Sequence, residues 1–219
     1  MDDFKKIIEG KNVLLLGPAS YLKDKVCDIR FGDYDLVVKI NKMVEKSSFS
    51  SEEFEVRNDI LYHCLDINIP NGDMPYSIKT WINKGVKHLR ITHPPVTHYY
   101  ARNISRFIDL NKELKIPSSI VSRNVFESIC MESKTSPNAG TIAICDLLSN
   151  NPSTLSIKGI TFCKTPYSEG YKEDVFYNNK KRTNQHDHDK QIIFFKSIFE
   201  KNNNVIKIDS ELESILERY

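Results

Sequence analysis

Two imidazoles and two carboxylates alternate in the stretch His186-Asp187-His188-Asp189, which stands at a loop-to-helix junction near the end of the chain. An imidazole titrates near neutrality, so one placed there is suited to take a proton from a hydroxyl as a general base. His186 is the first candidate for that role and His188 the reserve. A metal centre is not expected, because adjacent residues cannot all face one ion and the H-x-x-x-H spacing is absent. The plain alternative is an Asp-His helix cap. Of the other histidines only His63, near the end of an apolar run, is kept as a candidate contact to a substrate.

Two turns have the character of anion sites. In the first, NVLLLGPASYLKDK (residues 12–25), an apolar run enters a turn with Gly17, Pro18, Ala19 and Ser20. It lacks both G-x-G-x-x-G and the P-loop lysine, so neither a dinucleotide nor a Walker-type triphosphate site is indicated. The amides of Ala19 and Ser20 would open a helix whose positive end suits a phosphate, and Ser20 adds a hydroxyl. The second turn, SPNAGTIAICDLL (residues 136–148), offers Asn138, Ala139, Gly140 and Thr141, with Gly140 allowing close approach and Thr141 supplying two donors. Either turn could instead do no more than start a helix.

Three further groups complete the set. Asn41 ends the run DYDLVVKIN, where an amide can both donate to a phosphate or sugar and accept from it. The D-x-D of Asp33 and Asp35 comes before that run, at the wrong edge for a metal-diphosphate site, and reads as a solvated turn. Tyr167 and Tyr171 follow the apolar run around 155–163; their hydroxyls could stabilise a leaving phosphate, or they could simply pack a lid.

Something must bring these scattered segments together. Apolar runs at residues 13–16, 35–41, 59–65, 87–92, 119–122, 155–163 and 204–208 read as strands. Helical periodicity falls between them, most clearly at 76–84, 104–115 (apolar Ile104, Phe107, Ile108 and Leu114 on one face), 139–149, 189–201 and 210–218, with Ser210 as cap. Strictly alternating strands and helices predict an α/β fold: a single Rossmann-like domain over residues 1–219, with a mostly parallel sheet of about seven strands and helices on both faces. Residues 42–56 and 172–185 are polar loops after strands, and 172–185 is the expected lid.

Composition narrows the partners. With 31 basic against 29 acidic residues, net +2, the chain lacks the footprint of a nucleic-acid binder. No apolar run reaches the roughly 20 residues of a membrane span, and the charged start is no signal peptide, so a cytoplasmic protein is expected. Five scattered cysteines without C-x-x-C spacing predict buried thiols rather than disulfides or zinc.

The order of these motifs, LLLGPASYL, DLVVKIN, SPNAGTIAICDLL with KGITF, and HDHDKQ, resembles the sialyltransferase superfamily, glycosyltransferase family 29 and its small bacterial or viral relatives. The likeness runs from Val13 to about Ile198 and implies a sialyltransferase-like variant of the GT-A arrangement. It matches Gly17 and Asn41 to the two ends of the large sialyl motif, and Gly140 with Thr141 to the small motif's turn. In the family these surround the CMP part of a CMP-sialic acid donor. His186 matches the histidine of the very small motif, the family's general base. Four positions depart from the pattern: Pro18 stands for Asn, Lys39 for Arg, Ala139 for Ser or Thr, and Gln191 for Glu. Cys145 fits the small-motif cysteine, but Lys11 and Asn12 occupy the region of its usual partner. A donor with a single phosphate would suit a glycine-poor first turn.

The resemblance thus implies a metal-independent, cofactor-free, inverting glycosyltransferase that moves sialic acid or a related acidic sugar from a nucleotide-sugar donor to a glycan acceptor. Two alternatives stand beside it: a hydrolase of a nucleotide or nucleotide sugar, and a non-catalytic nucleotide-sugar binding module.

Overall fold

Strands that are apolar along their whole length must be covered on both faces, and that is how they are used here. The computed structural model describes residues 3–45, 57–65, 74–169, 171 and 186–219. Its strands are β1 (Asn12–Leu16), β2 (Leu36–Ile40), β3 (Ile60–His63), β4 (His88–Ile91), β5 (Ser118–Ile120), β6 (Thr154–Lys158) and β7 (Ile206–Ile208). They form one sheet in the order β5-β4-β3-β2-β1-β6-β7, and every pairing is parallel. The chain steps outward from β1 to β5, then returns to the other side of β1. The order therefore reverses between β1 and β6, the position at which open α/β sheets present their ligand crevice.

The connecting helices are α1 (Asp3–Ile8), α2 (Leu22–Lys25), α3 (Met74–Asn83), α4 (His98–Leu114), α5 (Arg123–Ser133), α6 (Ala139–Ser149), α7 (His188–Lys201) and α8 (Ser210–Leu216). Alternation on β3 and β4 shows that both faces are covered. Leu61, Leu89 and Ile91 pack with Ile78 and Trp81 of α3 and with Ile104 and Phe107 of α4, whereas Tyr62 faces α1 and α6.

Several expectations shift. The sixth strand stops at Lys158 because Gly159 (φ 72°) turns the chain, and Phe162 and Cys163 also take left-handed conformations (φ 49° and 61°). Helix α4 starts at His98 rather than at Ile104, and Ile108, placed on its apolar face, is half exposed. Asp209, not Ser210, caps α8, its carboxylate accepting from the Leu212 amide at 2.9 Å. None of the five cysteines is in a disulfide; Cys27 is exposed and the other four are half-buried rather than buried. The expected lid at 172–185, like residues 46–56, lies outside the described residues.

One buried ion pair fastens α6 to the sheet. Arg90 on β4 grips Asp146 of α6 through two parallel bonds of 2.9 Å, from Nε to Oδ2 and from Nη2 to Oδ1. Both side chains are 1% exposed. The Tyr62 hydroxyl donates to Asp146 Oδ2 at 2.7 Å, the third guanidinium nitrogen donates to Ser119 Oγ at 2.9 Å, and the Phe4 ring covers Arg90 Cζ at 4.0 Å. A satisfied network of this kind fixes geometry more than it adds stability, while removing one partner strands a buried charge. Asp146→Ala should cost about 3–5 kcal/mol in urea denaturation, and the triple change Tyr62→Phe, Arg90→Met, Asp146→Leu should regain most of that loss. Equal stabilities for wild type and Asp146→Ala would show that the pair is not a structural tie.

Candidate active site

At the carboxyl end of β1 the sequence has one glycine because the protein's own backbone comes too close for anything else. A Cβ built on Gly17 would lie 2.2 Å from the Gly159 carbonyl oxygen and 2.5 Å from Ile160 Cγ1. The Gly17 amide donates to Lys158 O at 2.7 Å, the Ala19 amide to Gly159 O at 3.1 Å, and the Ser20 amide to Pro166 O at 2.9 Å. Helix α2 is a single turn that begins only at Leu22. The expectation that the Ala19 and Ser20 amides await a phosphate is therefore corrected: both already serve internal carbonyls. Pro18 and Ala19 are buried, and the Pro18 carbonyl accepts from Ser168. Among the described residues, none bonds the hydroxyl of half-buried Ser20.

Beyond β2 and β3 a second group of side chains gathers. Asn41, which follows β2 in a left-handed conformation (φ 47°), accepts from the Cys64 amide through Oδ1 at 3.2 Å. Its side-chain amide opposes part of the rise that burial causes in the Tyr171 pKa. The Tyr171 ring packs edge-on to Tyr167 at 5.2 Å, and the Tyr167 hydroxyl lies 2.7 Å from Cys163 Sγ. Backbone pairing of Tyr167 with Ala19 ties this group to the first turn. Burial raises the pKa of both phenols, so each stays protonated at neutral pH. His63, at the end of β3, is 3% exposed, lies against Trp81 (4.8 Å between ring centres) and accepts the Leu65 amide at Nδ1, 2.9 Å away. Burial, helped by the nearby Lys42 ammonium, pulls its pKa down to about 3.

The third group is knotted around a buried amide. Asn138 caps α6, its Oδ1 accepting from the Thr141 amide at 2.9 Å. Gln191 of α7, fully buried, accepts through Oε1 from the Asn138 amide (3.1 Å) and from the Thr141 hydroxyl (2.6 Å). Thr141 is buried and both its donors are engaged, which corrects the expectation that they stand open to an anion. A Cβ on Gly140 would sit 3.2 Å from Asn138 Oδ1 and 3.6 Å from Ile160 Cδ1. Ile160 thus lies against both Gly17 and Gly140, so the two turns meet at one rim.

His186 stands on that same rim. Its Nδ1 lies 2.9 Å from the Ser136 carbonyl oxygen, to which Gln191 Nε2 also donates at 3.4 Å. A carbonyl can only accept, so Nδ1 carries the proton and Nε2 of the neutral ring keeps its lone pair. The cap reading holds too: Asp187 caps α7 by accepting from the Lys190 amide at 3.1 Å, while its own amide donates to Thr135 Oγ1 at 3.0 Å. His188 lies behind, 6.4 Å from His186 between ring centres, with a buried Nδ1 that finds no partner among the described residues. Its pKa is lowered by burial and by the neighbouring His186 and Lys164. Asp189 is held by Lys164 at 2.6 Å and by the Tyr219 hydroxyl. Sequence reasoning missed Gly159, Ile160 and Ser136 as the groups that bring the segments together, and treated Gln191 only as a departure.

No protein-family model and no curated protein matches the sequence. Solved structures do match in shape. The monofunctional α-2,3-sialyltransferase Cst-I of Campylobacter jejuni aligns with TM-score 0.57 and 12% identity over 91% of this chain and 75% of its own. CstII from the same organism, in complex with the substrate analogue CMP-3FNeuAc, gives 0.58 and 10% over 90% and 80%. A mammalian sialyltransferase in complex with Gal-β-1-3GalNAc-ortho-nitrophenol gives 0.50 and 11% over 94% and 71%. The chain has the sialyltransferase-like fold. At such low identity the likeness speaks for the arrangement of the sheet, and the chemistry must be argued from the residues gathered on its rim. In this chain those residues occupy the carboxyl edge of β1, β2, β3 and β6, together with the starts of α6 and α7.

Two measurements check the geometry. Gly17→Ala should lose about 1–3 kcal/mol or more, because the methyl meets rigid backbone rather than a side chain that can swing away; wild-type stability in that variant would contradict the contact. The His63 imidazole binds a proton less readily in the folded chain than in the unfolded one. Its stabilising effect is therefore complete above pH of about 6.5 and fades as pH falls from there toward 3, by up to about 1.4 kcal/mol per unit. Urea titrations of wild type and His63→Leu across that window should diverge in slope, and parallel slopes would remove His63 as the source.

Proposed function

We propose that the chain is a metal-independent, inverting glycosyltransferase that moves sialic acid or a related acidic sugar from a CMP-sugar to a glycan hydroxyl. The observation that carries this reading is the His186 imidazole, held through Nδ1 by Ser136 O beside two convergent turns in a sialyltransferase-like fold. In this reading Nε2 removes the acceptor hydroxyl's proton as that oxygen attacks the anomeric carbon from the face opposite the phosphate. One displacement inverts the centre.

The nucleotide would lie along Gly17, Pro18, Ala19, Ser20, Asn41, His63 and the Asn138–Thr141 turn. Because the backbone donors there are engaged, side chains must supply the polar contacts. Tyr171 is suited to this, since burial keeps its phenol protonated and able to donate to a phosphate oxygen. Tyr167 would support it from 5.2 Å away. The reading assigns no metal: Asp35 sits at the opposite edge, where it accepts from the Asn12 amide at 2.8 Å, and Asp187 and Asp189 are engaged as described. No helix among the described residues is long and apolar enough to cross a membrane. Five cysteines outside any disulfide suit the reducing cytosol, where we place the protein.

The test is release of CMP from CMP-sialic acid, followed in EDTA with and without a galactose-terminated acceptor. Acceptor-dependent release that falls about 10²- to 10⁴-fold in His186→Ala is the expected result. Release indifferent to acceptor would turn the reading to a hydrolase, and thermal stabilisation by CMP without release would turn it to a binding module.

A further inference from the structure

We infer that Gln191 is a positioning residue that couples the base to the donor side of the site, an inference that rests on the transferase reading. Gln191 is fully buried, so it acts through its neighbours rather than on a substrate. Its two ends do different work. Oε1 accepts from the Asn138 amide at 3.1 Å and the Thr141 hydroxyl at 2.6 Å, which fixes the turn at the start of α6. Nε2 donates to Ser136 O at 3.4 Å, the same carbonyl that holds His186 Nδ1 at 2.9 Å. The Asn138 amide can only donate, so it dictates which end of the side chain is oxygen, and the NH2 must face Ser136. One neutral amide thus sets the height of the turn against α7 and steadies the carbonyl that fixes the base's tautomer.

A carboxylate could not do both. Glutamate would keep the two bonds to Asn138 and Thr141 but would turn an oxygen toward Ser136 O, where the donor now sits. The carbonyl would be pushed aside and the imidazole proton would no longer be confined to Nδ1. Glutamine where the resembling family has glutamate is therefore a functional choice in this chain, matched to the way Ser136 presents its carbonyl.

Gln191→Glu separates the two ends. It should lower kcat by about ten-fold, in the range typical of losing a partner that orients a functional histidine, while KM for CMP-sialic acid stays within about two-fold. Gln191→Met removes both ends and should raise that KM as well. Nitrogen-15 spectra of the His186 ring, at a pH where it is neutral, supply a readout independent of turnover: the proton should sit on Nδ1 in the wild type and spread to Nε2 in Gln191→Glu. Should that variant not fold, Thr141→Val tests the other end: it removes the 2.6 Å bond to the amide oxygen and leaves Nε2 facing Ser136 O, so KM for CMP-sialic acid should rise while the proton stays on Nδ1, and an unchanged KM would overturn the coupling. Unchanged kcat with an unchanged tautomer would overturn the coupling. A wild-type chain that transfers no sugar would instead sink the transferase reading, and the spectra alone would then decide the coupling.

Discussion

The close approach of β1 and β6 governs the rest of the molecule. Where the strand order reverses, an open α/β sheet leaves a crevice for its ligand, yet here Gly17 and Gly159 bring backbone against backbone, and no Cβ fits between them. The Ala19 amide closes onto the Gly159 carbonyl at 3.1 Å and seals the gap. In the proposed reading a ligand at this rim lies above Ile160, with the tyrosines and Asn41 on one hand and Asn138 and His186 on the other. The single glycine of the first turn is explained by contact within the protein, not by a diphosphate.

Rigidity at the rim follows from how fully its backbone is used. The backbone amides of Ala19, Ser20 and Thr141 are spent on internal carbonyls and on Asn138, and the Thr141 hydroxyl is spent on Gln191. The buried grip of Arg90 on Asp146 holds α6 two turns below Asn138, so the start of that helix cannot drift relative to the sheet. Side chains held by neighbours stand beside those amides: Tyr171 by its edge-on contact with Tyr167, and His186 by Ser136. Preorganised polar groups of this kind can stabilise developing charge without rearranging during the reaction.

Much of this was legible in the sequence. All seven strands lie within the apolar runs or overlap them, and α6 has the bounds its unbroken apolar pattern predicts, because a helix buried nearly all round leaves no ambiguity of face. Helix α5 was less visible: only Phe126, Ile129 and Ser133 are buried, too few to mark a period. The sixth strand looked longer because Ile160, Thr161 and Phe162 continue its β-like composition, and a positive φ at Gly159 cannot be read from residue type alone. Asp209 and Ser210 are both good caps, and their order along the chain does not say which one reaches an amide. Residue type likewise identified Thr141 and Ser20 as donors but could not show which of their groups the fold uses for itself. The five-residue spacing from His186 to Gln191 did carry information, since it sets the base in the loop just before α7 and the amide inside that helix's first turn.

The stereochemistry of the first product formed tests the single-displacement mechanism most directly. Proton NMR of a reaction with CMP-sialic acid and a galactoside acceptor, read before any mutarotation of free sugar, should show the new glycosidic bond with the anomeric configuration opposite to that of the donor, as a single displacement driven by one base requires. A product with the donor's configuration retained, or free sugar alone with no new glycoside, would contradict it.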